Sequence, residues 1–253
     1  MTLQKKIQTK KLPQFQKDLL HHLKNKSGER LSSTVNNIVA IILGAGQSNR
    51  MHGIDKILHK INEQPVILFS LKKFLSFQDI NKVIVVSNIN NNDEIKRIID
   101  ENFESTNTKK IELINGGDRR QDSVKKAIES SPDATKYVIH DAARPFVSKK
   151  LILNVINNLN NYDAVIPTIP ISDALKKIHH NKIIENVNRE EYALAQTPQG
   201  FSSTIIKEAY QKVKEGDFPD CAAMILENGT NIHTISGEIS NKKITSREDL
   251  DDE

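Results

Sequence analysis

The chain is poor in cysteine and in aromatic residues, and it has no long apolar run. Its 253 residues include one cysteine, Cys221, so neither an intrachain disulfide nor a cysteine-based zinc cluster can form. We therefore expect a reducing, cytoplasmic setting. Tryptophan is absent and aromatic residues make up 5%, which argues against a nucleic-acid partner. No apolar run approaches the length needed to cross a bilayer, so no membrane partner is expected either.

Positive charge is concentrated near the start of the chain. The formal net charge is +4, but residues 1–36 hold eight lysines and arginines against two acidic residues. This segment therefore carries +6 and residues 37–253 carry −2. Leucines and a phenylalanine between Leu12 and Leu23 recur at helical spacing. We expect residues 1–36 to be a basic, partly helical extension, with a targeting or membrane-surface segment as the alternative, and residues 37–253 to be one domain.

From residue 37 onward, apolar runs alternate with helical patterns. The runs predict buried strands at 38–43, 83–86, 111–114, 137–139, 164–169 and 232–235. The helical patterns lie between them, at 66–77, 93–102, 123–130, 149–159 and 202–214. This alternation predicts an α/β fold, a mostly parallel twisted sheet with helices on both faces. Ligands bind to such sheets at the carboxyl ends of the strands. We interpret the asparagine-rich residues 88–92 as a loop of biased composition.

One stretch, residues 173–191, breaks the alternation. Two short runs, 175–178 and 182–187, flank a polar segment, a pattern typical of a β-hairpin with a loop of several residues. A free two-stranded ribbon is marginally stable in water. We therefore expect this protruding hairpin arm to pack against the same arm of a second subunit.

The turn after the first strand reads GAGQSNRMHGIDK. A dinucleotide-binding turn needs a third glycine where this chain has Asn49, and a P-loop needs a Gly-Lys-Ser/Thr triplet that is absent here. What is left is a glycine turn followed by Arg50 and Lys56. Glycines let backbone N–H groups approach a phosphate, and the two cations suit a reacting triphosphate. A plain tight turn with two solvated cations is the alternative.

Further polar motifs follow the later strands. GGDRRQDS opens a helix at 116–123, HDAARP ends a strand at 140–145, and QTPQG precedes a helix at 196–200. An acid such as Asp141 at a strand end suits a sugar hydroxyl or a metal-bound phosphate, and a cap is its alternative role. Asp122 suits a helix cap. Thr197 suits a bond to substrate or to the backbone, and His140 a packed or hydrogen-bonded role.

These motifs together resemble one family. LGAGQSNRMHGIDK, NGGDRRQDSV, VIHDAARPFV, QTPQGF and NKKIT occur in the order and spacing of the 2-C-methyl-D-erythritol 4-phosphate cytidylyltransferases. The resemblance covers about residues 37 to 250 and implies a Rossmann-like nucleotidyltransferase fold. It implies that CTP and the sugar-alcohol phosphate react to CDP-methylerythritol and pyrophosphate, with Mg²⁺ bridging the triphosphate oxygens. It also implies a homodimer that exchanges the hairpin arm.

The resemblance also implies roles for particular residues. Arg50 and Lys56 match the pair that stabilises the transition state, and Arg189 and Lys243 match two cations that position the acceptor. The resemblance names no protein side chain as a ligand of Mg²⁺. The remaining matches are residues around the nucleotide, namely Gly44, Ala45, Gly46, Gly117, Asp118, Ser123, Asp141, Ala142 and Arg144.

The chain departs from the family pattern at three places. Ala174 stands where the arm usually has threonine, Asn188 stands where aspartate usually precedes the arginine, and Cys221 replaces an acid. Cys221 suits a small apolar role. These departures leave open a pentitol-phosphate cytidylyltransferase and a nucleotide-binding homologue without turnover. A molybdopterin guanylyltransferase and a dinucleotide oxidoreductase are further alternatives, which the later motifs and Asn49 respectively disfavour.

Overall fold

A computed structural model describes residues 36–46, 55–212, 216–246 and 248–251. The predicted basic extension therefore lies outside the described residues except for Asn36, and Arg50 lies outside them as well. The described strands are β1 Ile38–Leu43, β2 Lys60–Ile61, β3 Gln64–Pro65, β4 Ile80–Ser87, β5 Ile111–Asn115, β6 Lys136–Asp141, β7 Ala164–Pro170, β8 Lys176–His179, β9 Lys182–Asn186, β10 Ala193–Ala195, β11 Gln199–Ser202 and β12 His233–Ser236.

Helices separate most of the central strands. The described helices are α1 Val66–Leu75, α2 Asn92–Asn102, α3 Ser105–Thr108, α4 Arg120–Glu129, α5 Lys149–Asn158, α6 Ser203–Lys212, α7 Cys221–Glu227 and α8 Glu248–Asp251. None of the helices in the described ranges is long and apolar enough to span a membrane.

The main sheet has the strand order β10-β7-β11-β6-β1-β4-β5, with β12 added beside β7. β1 lies between β4 and β6 and is parallel to both, and β4 is parallel to β5. β11 runs antiparallel to β6 and β7, and β10 runs antiparallel to β7. The predicted mostly parallel sheet is confirmed, and the antiparallel strands at one end come from short segments that the apolar runs did not indicate.

The sheet is buried on both faces. Alternate residues of β1 contribute to two separate cores, with Ile42 in one and Ile41 in the other, and both are fully buried. Helices α1, α2 and α5 pack on the first face, and α4, α6 and α7 pack on the second. The apolar sequence of β1 is therefore required, because each of its faces meets a layer of helix side chains.

The hairpin arm is formed by β8 and β9, and every residue of both strands is exposed. The predicted loop of several residues is wrong, because His180 and Asn181 alone form the turn, with φ of 45° and 61°. These left-handed conformations suit asparagine and histidine better than most residues. Ile178 and Ile183 are each 65% exposed, so the arm presents apolar side chains without a described neighbour to cover them.

Candidate active site

A cleft of about 670 Å³ opens at the carboxyl ends of β1, β5 and β6. Because these three strands run parallel in one sheet, the loops that follow them meet at the same edge. Nine of the residues predicted from the sequence line this cleft. They are Gly44, Ala45, Gly46, Lys56, Gly117, Asp118, Ser123, Asp141 and Lys243.

The glycines allow the loops after β1 and β5 to touch. Gly44 donates its amide to the Val86 carbonyl at 2.7 Å, and Gly116 donates to the Ser87 carbonyl at 2.8 Å. A Cβ built on Gly116 would lie 2.5 Å from the Cβ of Ala45, closer than two carbon atoms can approach. No described residue accepts a hydrogen bond from the amide of Ala45 or of Gly46.

The start of α4 forms a second wall. Gly117 donates its amide to the Ser123 hydroxyl at 3.0 Å, which fixes the glycine loop against the first turn of the helix. Asp122 accepts the amide of Arg119 at 3.2 Å and also pairs with its guanidinium. Asp122 is therefore a helix cap, as its position indicated. The hydrogen bonds from Arg119 lower the pKa of Asp122.

Asp141, at the end of β6, lies between two cations on the cleft floor. Its Oδ2 is 2.7 Å from Lys243 Nζ, and its Oδ1 is 3.3 Å from Arg120 Nη2. Burial would raise the pKa of Asp141, but Arg120 and Lys243 hold it well below its usual range. The carboxylate is therefore charged at neutral pH. It is an ion-pair partner here and not the helix cap considered from the sequence.

Arg120 was not among the residues predicted for the site. It lines the cleft, pairs with Asp141 and places Nη1 3.4 Å from the sulfur of Cys221. Burial lowers the pKa of Arg120, but the neighbouring Cys221 and Asp141 raise it above its ordinary value. Cys221 is fully enclosed, and burial raises the pKa of its thiol. The cysteine is therefore a small buried side chain that also contacts a guanidinium.

His140 belongs to a buried hydrogen-bond network behind the cleft. Its Nε2 is 3.1 Å from the Arg144 carbonyl, so this nitrogen carries the proton and donates. Thr197 then donates its hydroxyl to His140 Nδ1 at 3.0 Å and accepts the amide of Asp141 at 3.1 Å. Burial lowers the pKa of His140 to about 4. His140 is therefore a neutral structural residue, and Thr197 contacts the backbone that positions Asp141.

Ala142 and Arg144 lie outside the lining of the cleft. Ala142 is fully buried and donates its amide to the Leu43 carbonyl at 2.9 Å. Arg144 donates from Nη1 to the Asn241 carbonyl at 2.8 Å. Asn241 in turn donates its side-chain amide to the Thr197 carbonyl at 2.8 Å. These contacts hold the loop after β12, which brings Lys243 into the cleft.

Lys56 stands on a turn that is joined to the loop after β4. Asp55 accepts the amide of Ile57 at 3.2 Å and the side-chain amide of Asn91 at 2.6 Å. Residues 88–91 form a loop, as expected for the asparagine-rich stretch, and residues 88–90 of it also line the cleft. Asparagine-rich loops carry no periodic pattern that would predict a place in the site. Residues 88–90 reach the cleft because β4, which precedes them, pairs with β1.

Arg189 is not part of the cleft of its own chain. It lies in a short 3₁₀ turn, Arg189–Glu191, where its Nη1 donates to the Ser172 carbonyl. Arg189 and Ala174 both line a concavity of about 240 Å³ at the base of the arm. Among the four cations predicted for catalysis, the structure brings Lys56 and Lys243 together in the cleft.

Comparison with known proteins supports the family resemblance that the sequence motifs indicated. The chain matches the family model described as 2-C-methyl-D-erythritol 4-phosphate cytidylyltransferase over residues 38–252. A protein of that name from Bacillus cereus (strain ATCC 10987 / NRS 248) is 35% identical over 214 residues, which cover 83% of this chain and 93% of the relative. One from Dictyoglomus thermophilum is 37% identical over 221 residues, covering 84% and 93%.

Solved structures share the fold. The crystal structure of 4-diphosphocytidyl-2C-methyl-D-erythritol synthase from Anaerococcus prevotii DSM 20548 aligns with a TM-score of 0.75 and 26% identity. The alignment covers 85% of this chain and 93% of that one. The predicted α/β nucleotidyltransferase fold and the family resemblance are therefore confirmed.

Proposed function

Because the chain belongs to the 2-C-methyl-D-erythritol 4-phosphate cytidylyltransferase family, we propose that it transfers a cytidylyl group from CTP to 2-C-methyl-D-erythritol 4-phosphate and releases pyrophosphate. The observation that carries the proposal is the meeting of the Gly44–Gly46 turn, Lys56, Asp141 and Lys243 in one cleft. These groups come from separate parts of the chain and match the family motifs residue by residue.

In the proposed reaction the acceptor phosphate attacks the α-phosphorus of CTP in line. The acceptor is already anionic near neutral pH, so the step requires no protein base. The neutral, buried state of His140 agrees with this, since the described cleft then works by placement and charge. Lys56 and, by family resemblance, Arg50 stabilise charge that grows on the phosphates. The amides of Ala45 and Gly46 hold the triphosphate, and Gly117 and Ser123 border the base.

The described residues fit a Mg²⁺ ion that arrives with CTP. No group of three or more His, Cys, Asp or Glu side chains able to hold an ion occurs in the described part of the chain. Mg²⁺ is commonly bound through one or two carboxylates, waters and substrate phosphates, and Asp118, which also interacts electrostatically with Arg119, is a cleft carboxylate that would hold it. When bound, the ion would neutralise part of the negative charge of the triphosphate.

We further propose that two chains exchange their arms, so that Arg189 of one subunit reaches the cleft of the other. The arm is a two-stranded ribbon whose strands are wholly exposed, and such a ribbon is marginal alone. Ile178, Ile183 and Leu194 would be covered in such a dimer. Lys243, on the loop that Arg144 and Asn241 hold, would then face Arg189 across the acceptor.

The test is pyrophosphate release from the purified chain with CTP and Mg²⁺, using 2-C-methyl-D-erythritol 4-phosphate and ribitol phosphate as separate acceptors. We expect release with the first acceptor. Release with ribitol phosphate alone would mean that the acceptor is a pentitol phosphate. Such a change would agree with Ala174, which lacks the hydroxyl that the family usually carries on the arm. CTP binding without release for either acceptor would show a homologue without turnover.

A further inference from the structure

The two oxygens of the Asp141 carboxylate are held by two different kinds of cation. Lys243 Nζ lies 2.7 Å from Oδ2, at the end of a four-carbon side chain that is 37% exposed. Arg120 Nη2 lies 3.3 Å from Oδ1, and the Arg120 side chain is 23% exposed. The carboxylate itself is 11% exposed, so it depends on these partners for its compensation.

The two cations are anchored very differently. Arg120 begins α4, whose first turn is fixed by the capping box of Arg119 and Asp122, and its other terminal nitrogen contacts the buried sulfur of Cys221. Lys243 carries a compact ammonium on a flexible stem, and its side chain is 37% exposed among the residues that line the cleft. An ammonium of this kind is readily redirected to an incoming anion, whereas an arginine gripped at both terminal nitrogens is not.

We propose that Arg120 is a positioning residue of the reaction, which holds Asp141 in place when the acceptor phosphate draws Lys243 away from it. The inference rests on the proposed function. In the nucleotide complex both cations stay on Asp141. Once the acceptor binds, Lys243 donates to its phosphate, and Arg120 becomes the remaining cation on the carboxylate. Arg120 thereby acts through Asp141 and does not need to touch the substrate.

The other charged groups around Asp141 do not replace Arg120. His140 precedes it in β6, lies in the buried network, and is neutral because burial lowers its pKa to about 4. Arg144 raises the local positive charge, but its Nη1 is committed to the Asn241 carbonyl. The thiol of Cys221 contacts the far side of the Arg120 guanidinium.

The experiment compares the whole chain with Arg120→Gln, Arg120→Lys, Asp141→Asn and the double variant Arg120→Gln/Asp141→Asn. Arg97→Gln is the matched control, since Arg97 is an exposed arginine on α2 that pairs with Glu94. Calorimetry measures CTP binding, and pyrophosphate release measures kcat and the KM for the acceptor. Urea unfolding of the same proteins checks the fold and measures the coupling of Arg120 to Asp141 without substrate.

We expect Arg120→Gln to lower kcat/KM for the acceptor by roughly 10- to 100-fold, since misplacement of a reacting-site group by about 1 Å has effects of that size. The Kd for CTP should change by less than about threefold, because Lys243 still holds Asp141 at that stage. Arg120→Lys should recover part of the loss. In the Asp141→Asn background, Arg120→Gln should add little, in turnover and in unfolding alike.

Three results would overturn the inference. An equal loss of CTP affinity would mean that Arg120 contacts the nucleotide directly. Additive effects of the two substitutions, in turnover or in unfolding, would mean that Arg120 does not act through Asp141. Turnover of Arg120→Gln equal to that of Arg97→Gln would mean that the ion pair has no part in the reaction. Failure of the unsubstituted chain to release pyrophosphate would instead reject the proposed function, and the coupling in unfolding would still test the contact.

Discussion

A single methyl group added at Gly46 should weaken the binding of CTP without changing the stability of the fold. No described atom lies within 4 Å of a Cβ built on Gly46, so Gly46→Ala should change the free energy of unfolding by less than about 0.5 kcal/mol. The same methyl would stand between the main-chain amide and an anionic oxygen. Losing one hydrogen bond to a charged group costs roughly 1.5–3 kcal/mol. We therefore expect the Kd for CTP to rise by about 10- to 100-fold.

Gly116→Ala is the matched comparison, because it adds the same methyl group where there is no room. The new Cβ would lie 2.5 Å from the Cβ of Ala45 and 2.7 Å from the hydroxyl oxygen of Ser123. Ala45 belongs to the loop after β1 and Ser123 to the first turn of α4, so the backbone must move to accept the methyl group. We expect a loss of about 1–3 kcal/mol in the free energy of unfolding.

Urea unfolding and calorimetric titration with CTP measure the two quantities. The reasoning requires Gly46→Ala to fold normally and bind CTP weakly, while Gly116→Ala loses stability. Unaltered CTP affinity in a normally folded Gly46→Ala protein would refute it, because the triphosphate would then lie away from this turn. An undiminished stability of Gly116→Ala would refute the close approach of the two loops.

Three further experiments test other parts of the site. Mixed dimers of Arg50→Ala and Arg189→Ala subunits should recover one intact site, and pyrophosphate release no higher than that of the two parent dimers would reject arm exchange. Thr197→Val should lower the free energy of unfolding in urea by about 1–3 kcal/mol, because the amide of Asp141 and Nδ1 of His140 both lose the Thr197 hydroxyl as their partner. Thr197→Ser, which keeps the hydroxyl, is the control. Asp141→Asn should reduce stability at pH 7, and the gap should close as pH falls below about 4, since the lowered pKa of Asp141 gives stability that protonation removes. A gap that persists unchanged to acid pH would contradict that assignment.

The sequence predicted the strands that are buried on both faces, because such strands require continuous apolar runs. β1 and β4 are the clearest cases, with an apolar helix layer on each side. β11 escaped prediction because Gln199–Ser202 holds one large apolar residue, Phe201, and is ordered by pairing with β6 and β7. Such a strand is determined by its neighbours and leaves no periodic signal.

Site residues could be predicted only where a motif and a strand end coincide. Asp141 was found in this way, yet the adjacent Ala142 faces the core and Arg144 holds a loop, because neighbouring residues leave a strand end in different directions. Arg120 was missed because its importance depends on Asp141 and Cys221, which lie 21 and 101 positions away in the chain. No local pattern could have connected them.

The charge of the cleft likewise depends on placement and not on composition. The chain carries +4 overall, but the excess lies in residues 1–36, and the residues from 37 onward sum to −2. The proposed polyanionic substrate would enter this slightly acidic body at a cleft where Lys56, Arg120 and Lys243 converge and Arg120 and Lys243 pair with Asp141. The described lining holds four lysines and arginines, Lys56, Arg119, Arg120 and Lys243, against two carboxylates, Asp118 and Asp141, so its formal charge is positive. Asp141 lies between Arg120 and Lys243 and offsets the repulsion between these two cations, so the carboxylate contributes to the geometry of a positively charged site.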